Sequence, residues 1–185
     1  MHPPADPDAV VRPLLRVRQY RQFTDAPVDP AALSAMADAG RWSGSSRNTQ
    51  PWRFVVIRDP ATIRGIHEAG MPQTRSLATA TAALAIVLPQ APGSGISQGY
   101  DEGRAAERML IAASLLGIGA GIAWIRAEVR PVVADLLALP EDRFVRTVIA
   151  IGHPTEAARQ PKSAPGEARL PRGETVYEER WPAER

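Results

Sequence analysis

Apolar positions along the chain come in blocks whose spacing switches between helical and strand-like periods. Val10, Val11, Leu14, Leu15 and Val17 recur at near-helical intervals, with Pro13 tolerated only early in a helix, which predicts a helix over 10–20. Asp29-Pro30 is a helix start, the aspartate as cap and the proline at the first helical position. The helix over 31–39 turns Leu33 and Met36 inward and stops near Gly40. Asp59-Pro60 repeats the device and opens a helix to Ala69 that Gly70 ends. Tyr100 to Leu116 reads as a long helix, charged at Asp101, Glu102, Arg104, Glu107 and Arg108 and then apolar on nearly all sides. Such a helix belongs at the centre of a fold or at an oligomer interface. A last helix over 127–139, bounded by Pro140, turns Leu136 and Leu137 to the core.

The strands lie between these helices. Phe54-Val55-Val56-Ile57 follows a polar loop, Ala83 to Leu88 is a buried strand with small residues, and Phe144 to Ile151 is strongly β-branched. Gly117, Gly119 and Gly121 end the long helix and deliver a short strand over Ile122-Ala123-Trp124-Ile125. They follow a helix rather than joining a strand to one, and a third glycine of the dinucleotide fingerprint is missing, so that motif is discarded. Met109 to Ile125 is uncharged and nears the roughly 20 residues a membrane span needs, but its glycines favour a buried helix followed by a strand. The Pro/Gly/Ser loop over 89–97 holds Gly93-Ser94-Gly95 without the strand-to-helix elbow of a serine hydrolase.

Composition narrows the classes. At 185 residues, one domain with a real core is expected. A net charge of +2 gives no general field for nucleic acid, and the arginines lack interleaved aromatics for stacking bases. The absence of cysteine excludes disulfides, thiolate metal sites and a cysteine nucleophile. His2, His67 and His153 stand apart, so a metal is not expected; His67 reads as a surface or half-buried polar residue and His153 as a structural turn residue. Met1 to Val10 is Pro- and Asp-rich without an apolar core, so no signal peptide is read there and the cytoplasm is the expected address.

Three stretches carry candidate chemistry. Gly44-Ser45-Ser46-Arg47-Asn48-Thr49-Gln50-Pro51-Trp52 sets small hydroxyls and amides before a strand, as a loop gripping a flat, heteroatom-rich ring needs; a polar loop capping a strand reads equally well. Pro51 fixes its own φ, and Trp52 anchors the strand with a large buried ring. Arg16, Arg18 and Arg21 bunch before Phe23, either as a solvated helix end or as half of a phosphate clamp. The tail over 155–185 is rich in Pro, Arg and Glu, with Lys162, Arg169 and Arg172 as a second basic cluster. It keeps Val176, Tyr177 and Trp181 near its end, which predicts that it lies along another surface.

Five ordered elements together carry a resemblance to a known family. Arg18-Gln19-Tyr20-Arg21-Gln22-Phe23 with Pro27-Val28, the Ser45 to Trp52 signature, Leu116-Gly117-Ile118-Gly119, Ile151-Gly152-His153-Pro154 and Arg169-Leu170-Pro171 resemble successive motifs of the flavin-dependent nitroreductases. The resemblance implies an α+β, nitroreductase-like fold: a mostly antiparallel central sheet wrapped by helices, a long buried central helix and an extended C-terminal tail. It implies one FMN-binding domain over 1–185, with 1–9 flexible and 155–185 wrapping the partner of a homodimer that holds FMN at its interface.

The resemblance also implies site residues. Arg18, Gln19 and Arg21 match phosphate-contacting positions, and Arg169 matches a tail arginine closing on the same phosphate. Ser45, Ser46 and Asn48 match a loop that reaches the flavin from the neighbouring subunit, with Gln50 a weaker candidate. Ile122, Ala123 and Trp124 match the segment along the ring's reactive edge. The chain departs from the pattern at Val17, Gln19 and Glu167, so Lys162 or Arg172 is a possible substitute at the phosphate. The implied activity passes electrons from NADH or NADPH through FMN to an electron-poor small molecule such as a nitroaromatic or quinone, with no nucleic acid or membrane partner. No side chain stands out as a catalytic acid or base. A flavin-dependent dehydrogenase or oxidase of a biosynthetic substrate, and a flavin-binding or storage protein without turnover, are the competing readings.

Overall fold

The computed structural model describes residues 6–91, 93, 95–164 and 166–182. His2, the start of the Pro-rich N-terminus, Ser94 and the last three residues lie outside the described residues. The elements in chain order are α1 (Pro7–Leu15), α2 (Pro30–Arg41), β1 (Arg53–Ile57), α3 (Pro60–Gly70), β2 (Ala82–Pro89), α4 (Gly95–Leu115), β3 (Gly119–Trp124), α5 (Arg130–Leu136), β4 (Arg143–Gly152) and α6 (Glu156–Arg159).

The strands form one antiparallel sheet in the order β1-β2-β4-β3. Side chains alternate across a strand, so β2 feeds both faces. Leu84, Ile86 and Leu88 join Leu33 and Met36 of α2 and Met109 and Leu110 of α4 in one cluster. Ala83, Ala85 and Val87 join Ile63 and Ile66 of α3 and Val133 of α5 in the other. Each large aliphatic side chain removed from water contributes about 1.5–3 kcal/mol, so the sheet is held from both sides. This two-faced burial explains why β2 reads as a continuous apolar run rather than an alternating one.

Asp29 and Asp59 cap α2 and α3 as the Asp-Pro pairs predict, each side chain accepting the Ala amide two residues on (Ala31 and Ala61). The first helix starts and stops earlier than its apolar spacing predicts. Pro7, Asp8 and Ala9 are helical rather than loose, and from Val17 the chain leaves the helix to lie beside β3, where Gln19 bridges Ala120 in parallel. Tertiary pairing overrides local propensity there. The central helix begins at Gly95, five residues before Tyr100, and its early charges are not all solvated: Asp101 and Glu102 are buried. Arg146 of β4 donates from Nε to Glu102 Oε2 at 2.6 Å, and its Nη2 meets the same oxygen.

Gly119 and Gly121 belong to β3 rather than to the turn before it; only Gly117, with φ +70, turns the chain. Their lack of a side chain serves close approach. A Cβ at 119 would meet Pro154 Cγ at 2.5 Å, and one at 121 would meet the Tyr20 carbonyl oxygen at 2.2 Å. The last predicted helix splits into a 3-10 turn, Ala127–Val129, and α5, which rotates the apolar stripe. Val129 and Val133 are buried, Leu137 packs against the second cluster as predicted, and Leu136 stays 39 % exposed while its side chain lies against Gly65 of α3. Among the described residues, no helix is long and apolar enough to cross a membrane.

Candidate functional site

The predicted site residues fall at opposite edges of the sheet. At the β3 edge, the segment after α1 is stitched down by three bonds. Tyr20 donates its amide to the Ala120 carbonyl at 2.8 Å, Ile122 donates its amide to Gln19 Oε1 at 3.2 Å, and Phe23 donates its amide to Thr79 Oγ1 at 3.0 Å. Antiparallel pairing uses alternate residues. Since the Ile122 amide points away from β4, that of Trp124 points to the same open edge and that of Ala123 to the ladder. Ala123 is fully buried, so it shapes the strand and offers no side chain to a ligand.

Arg21, Ile122 and Trp124 line an open cleft of about 310 Å³ together with Pro72, Gln73 and Arg75. Among the described residues, neither the Arg21 nor the Arg75 guanidinium has a hydrogen bond or ion pair. Two uncompensated cations in one cleft are suited to a dianion, and guanidinium matches phosphate oxygens bidentately. Trp124, half exposed, supplies a flat apolar wall beside them. The chemistry of the cleft therefore fits a phosphate joined to a planar ring. Arg75 was not among the residues the sequence singles out. A lone arginine ahead of an Ala/Thr-rich stretch carries no local signal, and only the 3-10 turn over Arg75–Thr79 brings it to the cleft.

Arg18 is engaged differently. It donates to the carbonyls of Arg159 at 2.9 Å and Gln160 at 3.0 Å, and its guanidinium lies 5.7 Å from the Tyr20 ring centroid. It therefore pins the root of the tail. Arg169 is exposed and donates only to its neighbour's carbonyl, Ala168 O. Lys162 and Arg172 are likewise exposed.

The signature loop lies at the other edge, before β1. Ser45 accepts the Gln50 amide at its hydroxyl at 2.9 Å, and Gln50 Nε2 donates to Asn48 Oδ1 at 3.1 Å. Arg47, Asn48 and Gln50 all take positive φ, between 46 and 55, a region that costs non-glycine residues energy and persists only where surroundings impose it. Ser46 donates its amide to both carboxylate oxygens of Asp101, at 3.0 and 3.1 Å. Trp52 is buried as expected and stacks near Phe54, with ring centroids 6.4 Å apart. Thr49, Gln50, Trp52, Arg53 and Phe54 face α2 across an open crevice of about 660 Å³.

Three strand spacings separate the two edges, about 14 Å. Ser45, Ser46, Asn48 and Gln50 are therefore not brought to Arg21, Arg75, Ile122 and Trp124 within one chain. His67 is half-buried, its Nδ1 3.2 Å from the Thr74 carbonyl, and His153 serves through its backbone, accepting the Thr24 amide at 2.8 Å. Both roles are structural, in line with the sequence reading.

Similarity to known proteins agrees with this geometry. A sequence profile described as the nitroreductase family matches residues 16–97. A protein of Archaeoglobus fulgidus assigned as an NADH dehydrogenase/NAD(P)H nitroreductase is 31% identical over 147 residues, 75% of this chain and 82% of the relative. The crystal structure of a Desulfovibrio desulfuricans protein assigned as a nitroreductase, in complex with FMN, superposes with a TM-score of 0.74 at 28% identity, covering 97% of this chain and 100% of that one. A Bacteroides thetaiotaomicron structure assigned as an NADH dehydrogenase/NAD(P)H nitroreductase reaches 0.79 at 24% identity over 94% and 99% of the two chains, a likeness of fold. The match in sequence along most of a relative's length, with the same fold beneath it, identifies this chain as a member of the nitroreductase family.

Proposed function

We propose that the protein is an FMN-dependent oxidoreductase that takes electrons from NADH or NADPH and passes them to an electron-poor acceptor of the nitroaromatic or quinone type. The observation that carries this reading is the pair of unpaired guanidiniums, Arg21 and Arg75, in a cleft walled by Ile122 and Trp124. Bound FMN supplies the hydride and electron transfer, which no side chain of this protein provides. The chain's own part is binding, orientation and charge.

Arg21 and Arg75 take the phosphate and anionic edge, because Arg18 is already engaged with tail carbonyls. Gln19 fixes the β3 edge beside the ring, and the Trp124 amide is left as a donor along it. Arg169 joins when the tail folds over the site. The remaining contacts come from Ser45, Ser46, Asn48 and Gln50 of the partner subunit, because one chain holds the two half-sites at opposite edges of its sheet. Exposed Leu14 and Leu15 on α1, and Leu115 and Leu116 at the end of α4, are the apolar area that such a homodimer covers. A single domain whose tail embraces its partner, working in the cytoplasm where both nicotinamides are at hand, is part of the same reading.

The test is an absorption spectrum of the purified protein followed by anaerobic titration with each nicotinamide. A flavin spectrum that NADH or NADPH bleaches, restored by a nitroaromatic or quinone, supports the proposal. Protein that stays colourless after FMN is added and the excess removed overturns it. Bound flavin that neither nicotinamide bleaches overturns the electron path while leaving the binding site.

A further inference from the structure

The loop before β1 is strained, exposed and held by a residue that belongs to neither half-site. Arg47, Asn48 and Gln50 sit at positive φ without being glycine, and the loop's side chains are mostly in solvent, so bonds within the loop hold its local turn while its placement on the protein depends on contacts outside it. Three contacts from one stripe of α4 hold the segment that leads into it. Asp101 accepts the Ser46 amide at both carboxylate oxygens, Arg104 lies so close to Gly44 that a Cβ there would meet its Nη2 at 2.3 Å, and Arg108 donates from Nη1 to the Trp42 carbonyl at 2.6 Å. Positions 101, 104 and 108 stand at i, i+3 and i+7 on a helix, one face of two turns. The segment 42–46 is laid along that face.

Asp101 is the unusual member of the stripe. It is 3 % exposed, and its nearest basic group, Arg104 Nη1, is 4.0 Å away at the edge of ion-pair range. A buried carboxylate is costly unless donors face it, and here the donor is the backbone of the loop itself. Of the loop's other bonds, Ser45 to Gln50 and Gln50 to Asn48 are internal and move with it. Arg53 of β1 donates to the Gln50 carbonyl at 3.2 Å from an exposed position, whereas the bonds to Asp101 tie the loop to a buried group of the central helix.

We propose that Asp101 is a positioning residue, which holds the Ser45–Gln50 loop from the central helix in the one conformation that presents its hydroxyls and amides to the flavin of the neighbouring subunit. This rests on the reading that the loop contacts FMN, and it goes beyond that reading by assigning the loop's shape to a buried carboxylate 55 residues away in sequence. Asp101 itself touches no cofactor. Because α4 packs its buried face into the core, the loop's position is tied to that of the core.

The experiment uses the full-length protein. In the wild-type apoprotein, measured by NMR-detected hydrogen exchange, the Ser46 amide should exchange at least about a hundredfold more slowly than that of Arg47, although both residues are exposed. Equal rates overturn the proposal without any variant. In Asp101→Asn, exchange at Ser46, Asn48 and Gln50 should rise roughly tenfold or more, and the FMN dissociation constant, from quenching of flavin fluorescence, should rise roughly tenfold. Asp101→Glu should recover less than half of that loss, because the longer carboxylate misplaces its oxygens, whereas full recovery would argue for buried charge alone. Unchanged loop exchange in Asp101→Asn overturns the anchoring. A loosened loop with wild-type FMN affinity also overturns the proposal, and Asn48→Ala then separates the causes. If Asn48→Ala weakens FMN, the flavin reading of the loop survives; if it too is silent, that reading has failed.

Discussion

The carbonyl oxygen of Tyr20 lies 2.2 Å from where a side-chain carbon on Gly121 would stand. The segment carrying Gln19 and Arg21 can therefore lie flat on β3 only because residue 121 has no side chain. Backbone opposes backbone at this contact, so a methyl group is not relieved by a rotamer change. Gly121→Ala should lift the 18–21 segment, destabilise the protein by about 1–3 kcal/mol in urea unfolding, and weaken FMN binding more than it lowers stability. Wild-type affinity in a folded Gly121→Ala protein would remove this segment from the site.

The arginines divide into two kinds, and their variants should divide likewise. Arg21→Ala and Arg75→Ala should each raise the FMN dissociation constant by roughly ten- to a hundredfold, the loss of a charge-assisted hydrogen bond of about 1.5–3 kcal/mol. Arg18→Ala should change that constant far less and instead expose the tail root, read as faster tryptic cleavage after Arg159. The opposite ranking, with Arg18 decisive and Arg75 silent, would return the phosphate to the motif's first arginine.

The pair of buried Glu102 and half-buried Arg146 ties the central helix to β4. Arg130 lies 4.9 Å over the Phe144 ring nearby; burial, with the charge of Arg146 added, lowers its guanidinium below its usual value, and Glu102 counters this. Removing Glu102 leaves Arg146 without its counter-charge. Glu102→Ala should cost about 3 kcal/mol in urea unfolding, and Glu102→Leu combined with Arg146→Met should recover most of it. A silent Glu102→Ala would mean that water already replaces the carboxylate.

Asp59 offers a stability test with a defined sign. The Thr62 hydroxyl, at 2.6 Å, and the Thr62 amide hold its carboxyl below the ordinary value of 3.8. A lowered folded pKa means stability that is present above the unfolded value and lost as pH falls through the folded one. The difference in Tm between wild type and Asp59→Ala should be constant from about pH 7 to about pH 5 and should close below about pH 4. A difference that persists unchanged at about pH 2 would mean that shape, not charge, does the capping.

Much of the fold was legible because the signals were local. Asp-Pro caps, terminal glycines and the apolar run of β2 announce themselves within a few residues, and the ordered motifs made the family recognisable. What was not legible depends on contacts far apart in sequence. Val10 to Tyr20 looked like one helix until β3 captured Gln19. Gly119 and Gly121 looked like helix breakers, although their role is to admit Pro154 and Tyr20. Asp101 read only as one of the charges on a helix's first turns, and Arg75 carried no signal at all. In each case a residue distant in the chain decides the role, and no periodicity reports it.

The tail provides the test of assembly. Leu170, Val176 and Trp181 are all largely exposed, Trp181 at 78 %, and Tyr177 and Trp181 meet edge-on with centroids 4.9 Å apart without reaching either core cluster. Covering half of one such indole is worth about 2–3 kcal/mol, so the apolar tail gains only when a second surface receives it. The two cores close by Ile151, and Arg18 grips the chain at Arg159 and Gln160, so a protein ending at Gln160 keeps every core contact. Such a truncation should retain its far-UV circular dichroism and shift Tm by only a few degrees. In sedimentation it should become largely monomeric, and its FMN affinity should fall by more than tenfold because both the partner's loop and Arg169 are lost. A truncated chain that remains a dimer with undiminished affinity would show that the helices alone make the interface, and that the tail takes no part in closing the site.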